Sequence, residues 1–239
     1  SALCRVTSVD NAYRLLAGLE AAFPASILAF EAMWREYLDM ARLVTTMQPF
    51  DGELELVILC EAALGQGEPL RDAFVVCLSD LMEQGVITDA NVAQSSAERE
   101  RFWSLREAVY EIDRVLPKSE HFDVGLPFGR MDEGVQQLRN LVAKTFPASV
   151  LIVYGHLGDG NIHLAVSPRA QAGDADTLKT GIYEIICSLG GSISDEHGIG
   201  VLKRPYLHCG TSAAELSIMR SLKSALDPNW ILGKGRILD

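Results

Sequence analysis

Hydrophobic and polar positions along this chain switch repeatedly between a helical and a strand period. Tyr13, Leu15, Leu16 and Leu19 recur at helical spacing behind Ser8, which predicts a helix from Ser8 that Pro24 closes. Ile27–Phe30 reads as a short strand, and Met33–Met47 as a helix with Trp34, Leu38 and Leu43 facing inward. Leu54–Leu59 alternates acidic and aliphatic residues, the period-two pattern of a half-buried strand. Leu70–Glu83 is amphipathic and helical, and Val86–Val92 follows as a strand. Ser95-Ser-Ala-Glu98 has the form of a capping box, so a long helix is expected over Ser96–Val115, ended by Pro117. His121–Leu126 reads as a strand stopped by Pro127, and Met131–Phe146 as a helix. Val150–Tyr154 and Asn161–Val166 flank Gly158-Asp159-Gly160 as a hairpin, its two glycines supplying positive φ. Asp174–Leu189 is helical, and after Gly190-Gly191 a short strand runs through Ser194. A second capping box, Ser212-Ala-Ala-Glu215, opens a helix that reaches Leu226.

Strand–helix–strand units joined by hairpins predict an α+β fold of ferredoxin-like type, a mostly antiparallel sheet covered by helices. The unit is expected twice, as two fused sandwich halves that share one sheet or pack closely, with a boundary near Ser96–Val115. The 239 residues are long enough to bury a real core. Hydrophobic residues at 48% and charged residues at 22% are ordinary for a globular protein, and a net charge of −11 argues against nucleic-acid binding. No apolar run is long enough to span a bilayer, and the chain opens on Ser1 with no basic-then-apolar leader, as a processed or trimmed chain would. The five scattered cysteines lack a Cys-x-x-Cys pair and read as reduced thiols in the cytoplasm.

Candidate chemistry concentrates in two glycine-rich corners. His156 and His163, seven residues apart, sit on partner arms of the predicted hairpin and can face the same side. Glu196 and His197 lie in Ser-Asp-Glu-His-Gly-Ile-Gly (Ser194–Gly200). Two imidazoles and a carboxylate make an open site for Zn²⁺, Mn²⁺ or Fe²⁺, with His197 beside it as a general base of near-neutral pKa. The competing reading is a pair of hydrogen-bonding loop histidines and a solvated acidic corner; three of the five histidines falling here favours the site. Arg106 follows two aromatics and could clamp a carboxylate, although on a helix with Arg99, Arg101 and Arg114 it could equally be solvated.

Gly155-His-Leu-Gly-Asp-Gly-Asn-Ile-His163 and Ser194-Asp-Glu-His-Gly-Ile-Gly-Val-Leu-Lys-Arg204 together resemble the C-terminal domain of FAD-linked 2-hydroxy acid dehydrogenases and oxidases. Phe102–Glu107, Asp123–Pro127 and Leu222–Leu232 support the resemblance, which covers residues 1–239 as one substrate- and metal-binding domain. It implies that His156, His163 and Glu196 bind a divalent metal, that His197 is the catalytic base, and that Arg106 grips the substrate carboxylate. Tyr110 and His121 would contact the rest of the substrate, with a surface histidine the competing reading of His121; these residues and Ala165 depart from the hydroxyglutarate branch, as Gly233-Lys-Gly-Arg236 departs from the family's closing motif. FAD would be bound mainly by a preceding domain not found in these residues, so this piece alone is expected to be colourless and inactive. A metal-dependent hydrolase and a non-catalytic binding module are the competing functions. The resemblance leaves open the hydroxy acid, the electron acceptor and the oligomeric state, a homodimer included.

Overall fold

The structure, a computed structural model, describes residues 1–63, 68–116, 118–167 and 174–238. The chain runs through β1 (Ala2–Val6), α1 (Val9–Ala22), β2 (Ile27–Trp34), α2 (Arg35–Val44), β3 (Leu56–Ala62), α3 (Glu68–Glu83) and β4 (Asp89–Val92). It continues through α4 (Ser96–Arg106), α5 (Val109–Val115), β5 (Glu120–Gly125), α6 (Met131–Thr145), β6 (Val150–His156) and β7 (Asn161–Ser167). The last helices are α7 (Asp174–Ser188), α8 (Leu207–Gly210) and α9 (Ala213–Leu226).

One seven-stranded sheet has the order β4-β1-β3-β2-β6-β7-β5, with every pairing antiparallel. The first four strands take the order 4-1-3-2 of a ferredoxin-like βαββαβ unit. The second half repeats it through β5, α6, β6, β7 and α7, and its fourth strand shrinks to a single antiparallel bridge between Gly125 and Ser192. The halves meet where β2 pairs with β6. Two ferredoxin-like units sharing one sheet are therefore what the alternating pattern anticipated.

Helices cover both faces. On one, α1, α3, α6 and α7 press Leu15, Leu19, Phe74, Leu138 and Ile182 onto strand residues such as Cys4, Ile58, Val124 and Val153. On the other, α2, α4 and α5 bring Tyr37, Leu38, Phe102, Leu105 and Ile112 onto Leu3, Met33, Val57, Leu59 and Ile152. This two-sided burial explains several departures from the predicted elements. β1 was not anticipated because Ala2-Leu3-Cys4 is a continuous apolar run buried on both faces, with no alternation. β3 starts at Leu56 and is buried on both faces over Leu56–Cys60, where alternation predicted half-burial from Leu54. β2 continues through Met33 and Trp34, so α2 begins at Arg35; Trp34 is a strand residue, and Leu43 is 74% exposed instead of facing inward.

The long helix expected over Ser96–Val115 is broken at Glu107-Ala108 into α4 and α5. The Tyr37 hydroxyl reaches the Leu105 and Arg106 carbonyls at 2.9 and 2.6 Å, supplying the partner that the interrupted helix leaves wanting. Ser95 does cap α4, accepting from the Glu98 N–H, but the Glu98 carboxylate accepts from Gln94 instead of closing the box. The capping box at Ser212 and Glu215 is complete. The strand expected from Val86 begins at Asp89, and Pro117 lies outside the described residues. Between β6 and β7, Leu157–Asp159 forms a 3-10 turn; Gly160 takes φ +77°, whereas Gly158 needs no positive φ. Gly155 is required for a different reason: a Cβ there would stand 2.6 Å from the Asn161 carbonyl oxygen and 2.7 Å from the Ile162 Cα. Among the described residues no helix is long and apolar enough to cross a membrane, and all five cysteines are free thiols.

Candidate functional site

Strand alternation carries the candidate residues to one sheet face. Tyr154 pairs with His163, so His156, two residues further along β6, points the same way, as does Glu31 of β2, opposite His156. The two imidazole rings stand edge to face, 5.2 Å apart. His156 Nε2 lies 3.2 Å from one Glu196 carboxylate oxygen, and His163 Nε2 lies 3.8 Å from the other. One ligand atom from each of the three residues falls within 4.8 Å of the others. Donors about 2.1 Å from a shared ion stand about 3.0–3.5 Å apart, so a small closure would bring these three to bonding positions.

Glu31 organises this group, and composition gave no notice of it. It is 6% exposed, and its carboxylate accepts from His156 Nδ1 at 2.7 Å and from Arg106 Nε at 2.9 Å. With Nδ1 donating to a carboxylate, His156 keeps Nε2, the nitrogen beside Glu196, as the one that could ligate an ion shared with that carboxylate. The same contact holds the imidazole above its usual pKa, against the opposing effect of burial. His163 shifts the other way: burial, then the charges of His156 and Arg106, push it down to about 4, leaving it a neutral nitrogen donor. Arg106 is 8% exposed, which settles against a solvated arginine, and its guanidinium lies 4.8 Å above the Tyr154 ring. Burial, partly offset by Arg106, pushes the Tyr154 hydroxyl up to about 12, so it stays a neutral wall of the site.

Glu196 and His197 are positioned by a second buried acid, Asp123 of β5, whose role the sequence reading also missed. Its Oδ2 accepts the backbone N–H groups of Asp195, Glu196 and His197 at 3.2, 3.1 and 2.9 Å, and Oδ1 accepts from Asn161 Nδ2 at 2.9 Å. Lys203 Nζ reaches the Asp123 carbonyl at 3.1 Å and Ser194 Oγ at 2.9 Å. Burial would raise the Asp123 pKa, but the His197 N–H, Asn161, the Glu196 N–H and the Lys203 charge together hold it well below the usual carboxylate range. The signal available in sequence was a lone acid inside an apolar strand, present in both Phe30-Glu-Ala-Met and Phe122-Asp-Val.

His197 is 68% exposed at its side chain, its Nδ1 3.8 Å from Asp123 Oδ2 and its ring stacked 6.0 Å from that of His163. A cavity of about 370 Å³ opens in front of these groups. Arg106, Tyr110, His156, His163, Glu196 and His197 all line it, so six of the seven candidates converge. His121 is the exception: it stands outside the lining, with Nε2 3.5 Å from Asp113, which does line the cavity. A second hollow of about 490 Å³ adjoins it along Ile27–Glu31 and shares Glu31, Trp103, His156 and Glu196. The arrangement can hold a divalent ion, grip an anion at Arg106 and take up a proton at His197.

A family model described as FAD linked oxidases, C-terminal domain, matches residues 1–237. The chain is 30% identical over 228 residues to a D-2-hydroxyglutarate dehydrogenase of Xanthomonas citri pv. viticola, covering 92% of the chain and 48% of that protein. It is 33% identical over 214 residues to the mitochondrial D-2-hydroxyglutarate dehydrogenase of Bos taurus, covering 88% of the chain and 38% of that protein. The chain thus spans under half the length of these relatives. Among solved structures, p-cresol methylhydroxylase with substrate bound aligns over 100% of the chain and 52% of its own, with TM-score 0.66 at 10% identity, a likeness of fold.

Proposed function

The chain belongs to the FAD linked oxidase C-terminal domain family, and from that premise we propose that it is the substrate- and metal-binding domain of an FAD-dependent 2-hydroxy acid dehydrogenase. The reaction is oxidation of a D-2-hydroxy acid to the 2-oxo acid, the class to which the names of its relatives belong. The observation that carries the reading is the convergence of His156, His163 and Glu196 beside the buried Arg106 in one cavity. Two imidazole nitrogens and a carboxylate suit a divalent ion of zinc, manganese or iron type. When bound, such an ion supplies Lewis acidity towards the substrate hydroxyl, and FAD, held mainly by a flavin-binding domain, supplies the hydride acceptor.

The chain's own residues do the rest. Arg106 pairs with the substrate carboxylate, and Glu31 fixes the guanidinium in place through Nε. Glu31 also fixes the His156 tautomer, so one buried acid aligns both the metal ligand and the anion clamp. His197, whose Nδ1 lies 3.8 Å from Asp123 Oδ2, takes the hydroxyl proton. Tyr154 and Trp103 wall the cavity with aromatic surface and restrict water. Five free thiols suit a reducing compartment, and the reading places the protein in the cytoplasm.

The test is elemental analysis together with flavin bleaching by D-2-hydroxy acids in the flavin-loaded enzyme. Stoichiometric metal, lost with flavin bleaching in His163→Ala, is the expected result. A metal-free enzyme of undiminished rate would overturn the metal assignment, and ester hydrolysis without flavin would overturn the reaction class.

A further inference from the structure

The cavity carries its charge unevenly. Its lining includes four carboxylates, Glu31, Glu107, Asp113 and Glu196, against Arg106 as the one fixed cation among the described lining residues. Glu31 is engaged by Arg106 and His156, and Glu196 faces the two imidazoles. Glu107 and Asp113 remain without a partner from the lining, at the break between α4 and α5 and on α5 itself; Asp113 has His121 Nε2 3.5 Å away, outside the lining. Beside them lie Val109, the 70% exposed Tyr110 and the ring of Tyr154, which offer apolar and aromatic surface.

Arg106 accounts for one substrate carboxylate. A second carboxylate, two or three carbons away, would find no further fixed cation in this lining and would meet Asp113 or Glu107. An anion leaving water needs a paired cation, and like charges brought together select against the ligand that carries them. A hydrocarbon or aromatic side chain would instead meet Val109, Tyr110 and Tyr154.

Resting on the function proposed above, we infer that this site selects 2-hydroxy monocarboxylates with an uncharged side chain and discriminates against 2-hydroxy dicarboxylates, with Asp113 a specificity-determining residue. Names alone would suggest the opposite, since the relatives described above are called hydroxyglutarate dehydrogenases.

The matched probes are D-2-hydroxyvalerate and D-2-hydroxyglutarate, which share a five-carbon chain and differ at its terminal methyl or carboxylate. With the flavin-loaded holoenzyme, kcat/KM should favour the monoacid by about tenfold or more, in line with the cost of an unpaired anion. Asp113→Lys should lower that ratio by about tenfold, chiefly through KM for the diacid, with Asp113→Asn intermediate. Should the lysine variant not fold, the asparagine variant carries the comparison. A wild-type preference for the diacid, or a ratio unmoved by either variant, overturns the inference and leaves the proposed reaction standing. If neither acid bleaches the flavin, the proposed reaction fails and the inference falls with it.

Discussion

Replacing Asp123 by asparagine isolates what holds the Glu196–His197 corner. The side chain is fully buried and takes three backbone N–H groups on one oxygen and the Asn161 amide on the other, with Lys203 Nζ 3.5 Å away. An asparagine of the same shape keeps one acceptor oxygen, but its NH₂ group must face either the N–H cluster or Asn161, donor against donor. Lys203, 13% exposed at its side chain, loses its counter-charge at the same time. Breaking one partner out of such a buried charged network costs about 3–5 kcal/mol. For a domain of this size that corresponds to a fall in Tm of about 6–20 °C. The pH dependence follows from the depressed pKa. The carboxylate contributes stability above the unfolded-state value near ~3.9 and loses it as pH falls through the lower folded value. The Tm gap between wild type and Asp123→Asn should therefore be constant from about pH 5 to pH 8 and narrow below about pH 4. Thermal unfolding followed by circular dichroism across that range measures both effects. A variant that melts within about 1 °C of wild type at pH 7 would show that the corner is held by something other than Asp123.

Three further substitutions probe separate parts of the molecule. Glu61 is held at about 2 by Arg99 first, with burial opposing and Ser1 and Trp103 assisting. Its contribution is present above the usual carboxylate range and is lost as pH falls through about 2; Glu61→Gln should cost about 1–2 kcal/mol at pH 7 and markedly less at pH 2, as read by urea unfolding at each pH. Gly155→Ala forces a Cβ onto the opposing backbone of β7, and a loss of about 1–3 kcal/mol in the same assay is expected; an unchanged midpoint would mean that the strands separate freely. Arg106→Lys removes the planar fork between Glu31 and the substrate, so KM for a 2-hydroxy acid should rise by about tenfold or more with a smaller change in kcat; unchanged steady-state constants would remove Arg106 from substrate binding.

Most of the architecture was legible because it rests on local period. The hairpin, the capped helices at Ser8 and Ser212, and the doubled strand–helix pattern all reappear. What escaped the reading depends on distant partners. The break between α4 and α5 is made by Tyr37, 68 residues away from Leu105, and no local signal at Glu107-Ala108 announces it. The burial of Arg106 likewise depends on Glu31 of β2, 75 residues away. Histidines beside glycines stand out in a sequence. A single acid in an apolar strand is as informative, because it cannot be buried without a partner, and both Glu31 and Asp123 proved to be organising groups of that kind.

Glu31 also shows why the site sits at the seam of the sheet. Each ferredoxin-like half would end in an open strand edge, β2 in the first and β6 in the second, and pairing those edges removes a liability of both. The pairing register sets Glu31 opposite His156, so the act that joins the halves also couples the buried acid to the His156 imidazole. The connecting segment between halves then delivers Arg106, Tyr110 and Asp113 from α4 and α5 across the same seam. Neither half holds the arrangement by itself: the first lacks every histidine of the cavity, and the second lacks Glu31. A perturbation that loosens β2 from β6 must therefore part Glu31 from His156 and disturb both groups that Glu31 aligns, even where each half keeps its own core.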